Sequence, residues 1–194
     1  MTPEMRAFEC ALGLYSVLIG LAIADIATSF HRLARSNVAV RWDPLALLAA
    51  LFALLLAIGM WFDLWGVRNV TATRQFLFYL VMVAQLFLIF LIAAASLPDA
   101  AESDLRGFYS RNRRYFWALV ALFQICYVAL GLYFAGGLLR RGPPSLRIAF
   151  AVQMSILVLV PLALTRLRSR AFHYAGLALL IGTIAWHYSV YSIN

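Results

Sequence analysis

The sequence predicts an all-α integral membrane protein, a single bundle of about six transmembrane helices with short loops. Of its 194 residues, 64% are hydrophobic and only 12% are charged, whereas soluble domains contain roughly 45–50% apolar and about 25% charged residues. The apolar residues form six runs of about 20, the length that a helix needs to cross a bilayer core. The runs are continuously apolar, unlike the alternating strands of a membrane barrel, so each is predicted to be a helix.

Prolines, charges and turn residues delimit these runs. Pro44 begins the second run after Asp43, a predicted N-cap. Pro98 ends the third run, and the turn sequence GPP precedes the fifth. The predicted spans are residues 7–30, 44–65, 75–97, 115–139, 146–167 and 171–191. Because the spans occupy most of the chain, we predict one polytopic domain over residues 1–194.

The arginines predict the orientation of the bundle. All sixteen basic residues are arginines, and ten of them fall in the first, third and fifth loops. Because basic loops stay on the cytoplasmic side, this bias predicts that both termini lie outside. The short connections and the composition, rich in Ala, Leu and Arg, favour a multi-pass protein of a bacterial inner membrane.

The net charge of +8 does not indicate a nucleic-acid-binding protein. The arginines are distributed over every loop and are not gathered on one face, so anionic lipid headgroups are the expected partner. The densest group lies in residues 103–117, a predicted amphipathic segment at headgroup level. The residues expected to contact headgroups there are Arg111, Arg113 and Arg114.

Signatures of enzymes and cofactors are missing from the sequence. It contains no GxSxG, HExxH, P-loop, GxGxxG or CxxC motif. No metal site or cofactor is predicted, and enzymatic activity is the less favoured class. His173 and His187 are spaced to share one face of the sixth span. Haem ligation would need a second helix with the same pair, so we interpret both as interfacial residues.

Polar residues deep in the spans are the candidates for an ion or proton pathway. Asp25 lies about five residues inside the inner boundary marked by His31 and Arg32, and Asp25 and Arg32 fall on one helical face. A carboxylate at the centre of a membrane helix costs about 2.5–3.5 kcal/mol, and such residues tend to mark pathways. Asp25 either pairs structurally with an arginine or takes up protons. Buried amides usually join helices by hydrogen bonds, and the full candidate set is Asp25, Arg32, Gln85, Gln124 and Gln153.

Two further acids are expected near the outer face. Glu9 begins the first span and Asp63 ends the second, and both are expected to be interfacial and hydrated. If the first, second and sixth spans are neighbours, these acids gather with Arg68 and His187 into an outer polar cluster. Such a cluster would suit a lipid-linked substrate.

The function predicted is a small channel or transporter subunit that moves protons or small ions, with Asp25 as the candidate intramembrane site. A non-catalytic assembly or scaffold subunit is the first alternative. It needs only the basic loop and a stripe of small residues on the first span, which also suits a homo-oligomer. The stripe is Gly13, Ser16, Gly20 and Ala27. A membrane enzyme acting on a lipid-linked substrate is the second alternative.

Overall fold

The computed structural model is all-helical, as predicted. It describes residues 3–66, 76–98, 104–141 and 143–189, and the side chains of residues 12–64, 79–98, 104–133, 143–145 and 147–189. No β-strand occurs in these ranges, where a single isolated bridge joins Arg41 to Asp104. The six helices are α1 (Pro3–Ala34), α2 (Pro44–Gly66), α3 (Phe76–Ser96), α4 (Leu105–Arg141), α5 (Pro144–Arg166) and α6 (Arg170–Ser189).

The bounds of α2, α3, α5 and α6 lie within two residues of the predicted spans, α1 is four residues longer at each end, and the largest difference is at the start of α4. This helix begins at Leu105, whereas the predicted span begins at residue 115. Leu105, Tyr109 and Phe116 are buried on one stripe of this segment, while its arginines occupy the other faces. The predicted headgroup-level segment is therefore continuous with the fourth helix and packs on the bundle.

Five of the six helices, α1 to α5, are long and apolar enough to cross a membrane. The sixth helix, α6, is outside this set because it carries polar residues along its length, including His173, Thr183 and His187. The chain therefore has the composition and helix lengths of a multi-pass membrane protein.

The helices pack around α2. It contacts α1, α3, α4 and α6, while the other five helices follow one another around it in the order α1, α3, α4, α5, α6. The central position agrees with the sequence of α2, in which Asp63 is the single charged residue. Asp63 on α2 is consequently within reach of side chains from α4 and α6.

Three connections meet at one end of the bundle, which we call the odd-loop end. They join α1 to α2, α3 to α4 and α5 to α6. The Leu105 amide donates to the Arg41 carbonyl at 3.3 Å, and Asn112 donates to the Ala95 carbonyl at 2.6 Å. The first, third and fifth loops, which together carry ten of the sixteen arginines, therefore lie at one end. The opposite end, where α4 connects to α5, is called the terminal end.

Candidate functional site

Two polar clusters lie inside the bundle, one toward each end. Each combines an aspartate, a tyrosine and a histidine that come from the start or end of α2, from α4 and from α6. The cluster at the odd-loop end, called the packed cluster, is Asp43, Tyr109, Trp117, Arg170 and His173. The cluster toward the terminal end, called the cavity cluster, is Asp63, Tyr127 and His187.

In the packed cluster, His173 is the end of a directional chain of hydrogen bonds. Its Nε2 lies 3.0 Å from the Leu167 carbonyl, which can only accept, so Nε2 carries the proton. In the neutral ring, Nδ1 then accepts from the Tyr109 hydroxyl at 2.8 Å. The Tyr109 oxygen in turn accepts from Trp117 Nε1 at 3.1 Å. Each group in the chain therefore has a partner of the correct kind.

The structure thus buries His173 inside the protein, and its interfacial depth stays a prediction. The side chain belongs to the core, because the residue is only 1% exposed and the Tyr109 ring packs edge-on against it with centroids 5.6 Å apart. Both of its nitrogens are bonded within the protein, which leaves neither for a metal or haem.

Asp43 also has a different role from the predicted one. Its position before Pro44 is correct, and α2 begins there. The carboxylate, however, is 3% exposed and accepts from Arg170 through Oδ1, while Oδ2 has no hydrogen-bond partner in the described part of the chain. Asp43 therefore ties the start of α2 to the start of α6.

The same region holds the connection between α5 and α6. Its Leu167 carbonyl accepts from Arg113 as well as from His173. Since Arg113 and Tyr109 both belong to α4, this helix fixes the loop that follows α5. The packed cluster is a structural tie among α2, α4 and α6, with its space filled by aromatic rings.

The cavity cluster is more loosely built. The Tyr127 hydroxyl donates to Asp63 Oδ2 at 3.1 Å, whereas His187 Nε2 lies 3.9 Å from Asp63 Oδ1. This second distance is too long for a hydrogen bond. The side chains of His187 and Asp63 keep 38% and 21% of their exposure, so both can also contact water.

These side chains border a cavity of about 50 Å³ between α2, α4, α5 and α6. Gln124, Gln153 and Thr183 supply further polar groups to its wall. One water needs about 10–15 Å³ of such volume, so the cavity can hold a few waters or a small cation. It is much smaller than the 300–1,000 Å³ of typical pockets for organic ligands.

Gly59 permits the close approach of α2 and α6 beside this cavity. A Cβ atom at this position would lie 2.7 Å from Cε2 of Tyr188, closer than real contacts allow. Tyr188 therefore lies directly over the α2 backbone and forms one wall of the cavity. The missing side chain of Gly59 is what lets the Tyr188 ring reach this position.

The cavity joins members of two predicted sets. Gln124 and Gln153 were expected on an ion pathway, whereas Asp63 and His187 were expected in an outer polar cluster, and all four line one cavity. Asp63, which was expected to be a hydrated interfacial acid, accepts from Tyr127 and keeps 21% of its side-chain exposure, and its depth in a membrane stays a prediction. Arg68 and the side chain of Glu9 lie outside the described residues.

The remaining pathway candidates lie elsewhere. Asp25 is half-buried on α1, nearer the odd-loop end, and Arg32 donates to the Ser29 hydroxyl at 3.2 Å. Gln85 is 1% exposed on α3, and within the described ranges neither its amide nitrogen nor its oxygen has a partner. Its predicted role in joining helices by a hydrogen bond is therefore not observed.

Of the three arginines predicted to contact headgroups, Arg111 and Arg114 are exposed. Arg113 is half-buried and donates to Leu167, so its guanidinium is engaged within the protein. Among the described side chains, no group of three or more His, Cys, Asp or Glu residues is arranged to hold a metal ion.

Comparison of the chain with protein-family models, with curated proteins and with solved structures finds no match.

Proposed function

We propose that the chain is a six-span protein of a bacterial inner membrane that moves protons or small cations. The observation that carries this proposal is the Asp63 carboxylate, which lies between Tyr127 and His187 on a polar cavity inside the bundle. Ionisable residues within membrane bundles are costly, and they tend to mark ion and proton pathways.

The chemistry of the cavity suits either a proton or a small cation. Histidine changes its charge near neutral pH, and the side chains of His187 and Asp63 are exposed enough, at 38% and 21%, to contact water. Amide and hydroxyl groups such as Gln124, Gln153 and Thr183 both donate and accept, so they can support a chain of waters. Carboxylate and amide oxygens are also ligands of hard cations.

The sixth span in this proposal is α6. Its 20 residues extend about 30 Å, the thickness of a bilayer core. Its polar residues His173, Thr183 and His187 are fully or partly buried, whereas Phe172, Leu179 and Trp186 are exposed at intervals of seven residues. Such an arrangement presents an apolar stripe to lipid although the average composition of the helix is mixed.

Asp25 is the candidate site for the half of the path nearer the odd-loop end. It is half-buried on α1, with Arg32 two turns further along the same face. Gln85, near the middle of α3, is a second candidate, because a buried amide with no partner among the described residues is a place where a transient water can bind.

The proposal is tested by ion flux in proteoliposomes. We expect Asp63→Asn to retain the fold and to lose most proton or cation flux, and His187→Gln to reduce flux. Asp104→Asn is the matched control, because Asp104 lies in the loop before α4 and outside the cavity. Wild-type flux in a folded Asp63→Asn protein would exclude Asp63. If the wild type carries none of the common ions, the scaffold alternative is favoured.

Asp25→Asn is tested in the same assay. Loss of flux with unchanged stability would assign Asp25 to the path. If Asp25 pairs with an arginine, its loss leaves that cation unpaired and destabilises the protein, by about 3–5 kcal/mol for a buried pair. The double variant Asp25→Asn, Arg32→Gln should then recover much of the stability.

One observation favours the lipid-linked substrate of the second alternative. A groove of about 580 Å³ on the outside of α5 and α6 shares Gln153 and Thr183 with the cavity. The two helices touch at Gly176, where an added Cβ would lie 2.7 Å from Leu164 Cδ1, and the groove lies further toward the terminal end. If the acyl chain of a lipid-linked substrate lay in this groove, the polar group of that substrate would lie near Gln153.

The two functions are separated by filling that groove. A Cβ at Gly182 meets no atom within 4 Å, so Gly182→Leu fits without displacing the helices. It should block entry of an amphiphilic substrate and leave ion flux unchanged. A loss of ion flux in this variant would instead indicate that the helices must move against each other.

A homo-oligomer remains compatible with the surface of α1. A Cβ at Gly13 or Gly20 would meet no atom of the described residues within 4 Å, so this part of the predicted stripe is open toward the part of the chain that the structure describes. Gly20→Leu should therefore be neutral in a monomer and should disrupt an oligomer. Light scattering of the two purified proteins decides between these results.

A further inference from the structure

A second groove on the lipid-facing surface lies between α4 and α5. Its volume is about 610 Å³, within the range of sites that bind organic ligands. The α4 residues that line it are spaced at four, seven, eight and eleven positions from the first, so they form one continuous helical face. The lining residues are Arg114, Ala118, Ala121, Leu122 and Ile125 of α4 and Leu162, Thr165 and Arg166 of α5.

The charged residues that line this groove are all positive. Arg114 and Arg166 are exposed, and neither forms an ion pair with an acid of the described part of the chain. Thr165 donates its hydroxyl to the Leu162 carbonyl at 2.7 Å, and the other lining residues are apolar. The groove therefore offers two uncompensated guanidinium groups and an apolar floor.

The length of the groove matches one leaflet of a bilayer. From Arg114 to Ile125, α4 rises eleven residues, or roughly 16 Å, and half of a bilayer core is about 15 Å. The short side chains of Ala118 and Ala121 leave the space along the floor. A ligand that fits has an anionic head and an apolar chain of about this length.

We propose that this groove is a binding site for one anionic phospholipid. Its phosphate lies between Arg114 and Arg166, since arginine matches phosphate oxygens with two parallel hydrogen bonds. One acyl chain lies along Ala118, Leu122 and Ile125. Basic sites between membrane helices on the cytoplasmic side recognise lipid headgroups in this way, and the proposal does not rest on the ion-flux function.

The site also adjoins the wall of the internal cavity. Leu122 and Ile125 line the groove on the outer face of α4, while Phe123 and Gln124 between them line the cavity. A bound acyl chain would therefore pack against the same segment of α4 that presents Gln124 to the cavity.

The test is native mass spectrometry of the delipidated full chain with phosphatidylglycerol. We expect one tightly bound lipid. Each of Arg114→Gln and Arg166→Gln should weaken it roughly tenfold, as loss of a charge-assisted hydrogen bond predicts. Ala118→Leu should weaken it by filling the floor. The matched control is the double variant Arg106→Gln, Arg168→Gln, which removes two exposed arginines outside the groove and should leave binding unchanged.

Three results would overturn the proposal. Equal weakening by the control and by the groove variants would mean that the lipid responds only to total charge. Equal binding of phosphatidylcholine would mean that the arginines do not select an anionic head. Ala118→Leu keeps both arginines, so it tests the site even if an arginine variant folds poorly, and wild-type affinity in this variant would exclude an acyl chain from the groove.

Discussion

The packed cluster and the cavity cluster use the same residue types but differ in what fills the space beside them. In the packed cluster, Trp117 and the Leu167 carbonyl occupy the polar atoms of Tyr109 and His173. In the cavity cluster, a 3.9 Å gap separates His187 from Asp63, and a cavity adjoins both. Aromatic packing lets the packed cluster hold the helices together. Incomplete packing leaves space beside the cavity cluster for a mobile ligand.

The largest expected difference between the clusters is in the stability that is lost when the aspartate of each is replaced by asparagine. Asp43→Asn removes the charge that pairs with Arg170, and we expect a loss of about 3 kcal/mol, at the low end for buried pairs because Arg170 is partly exposed. Asp63→Asn should cost less than about 1 kcal/mol, because water can replace the lost interaction. Reversible unfolding in mixed micelles measures both.

The double variant Asp43→Asn, Arg170→Gln is the control for this prediction. It should recover part of the stability, because the unpaired cation is removed as well. Equal losses from Asp43→Asn and Asp63→Asn would show that the clusters are energetically equivalent and would contradict the comparison.

Replacing the tyrosine should also destabilise the packed cluster more than the cavity cluster, by a smaller amount than replacing the aspartate. Tyr109→Phe leaves Trp117 Nε1 without its acceptor and His173 Nδ1 without its donor, at a cost of about 1–3 kcal/mol for buried polar groups. Tyr127→Phe should change stability by less than about 0.5 kcal/mol, since Asp63 remains in contact with a cavity that can hold water. A larger loss from Tyr127→Phe than from Tyr109→Phe would reverse the assignment of the two clusters.

The sequence predicted most of the helices because hydrophobic runs of membrane length have few alternatives. Pro44 and Asp43 predicted the start of α2, where the proline fixes the backbone. The start of α4 was missed because Leu105 and Tyr109 bury a narrow stripe among arginines. A segment with this pattern has too low an average hydropathy to be assigned to a span, although it packs well.

The candidate site could be predicted only in pieces. Gln124, Gln153, Asp63 and His187 were each selected as polar residues within or at the end of a span, but their spacing does not indicate which helix faces meet. The pair formed by Asp43 and Arg170 was not predicted, because 127 positions separate the two residues and each had a local interpretation as a cap or a loop arginine. The packing of the helices around α2 determines which residues line the cavity and also brings Asp43 to Arg170.

Gln85 tests what happens to a polar group that belongs to neither cluster. It is buried, and neither of its amide atoms has a partner in the described part of the chain, so Gln85→Met should stabilise the protein by about 1–2 kcal/mol. The matched control is Gln124→Met, which removes an amide from the cavity wall and should not stabilise. A destabilised Gln85→Met protein would reveal a partner for this amide.

The smallest expected change in stability is at Thr183. Its hydroxyl donates to the Leu180 carbonyl of its own helix at 2.7 Å, so Thr183→Val should remain within about 0.5 kcal/mol of the wild type. Flux should still fall if the hydroxyl forms part of the path. Unchanged flux in this variant would limit the path to Asp63, His187 and the glutamines.

The separation of Asp43 from Arg170 also has a consequence for biosynthesis. A ribosome that adds about 5–20 residues per second needs roughly 6–25 s to make the 127 positions between them. During that interval, α2 has been made but Asp43 still lacks the guanidinium of Arg170. The α6 helix supplies Arg170, which pairs with Asp43, and His173, which accepts from Tyr109. These contacts at the odd-loop end can therefore form only after α1 to α5 have been made. A nascent chain stopped before Arg170 should therefore remain sensitive to protease at the loop between α1 and α2.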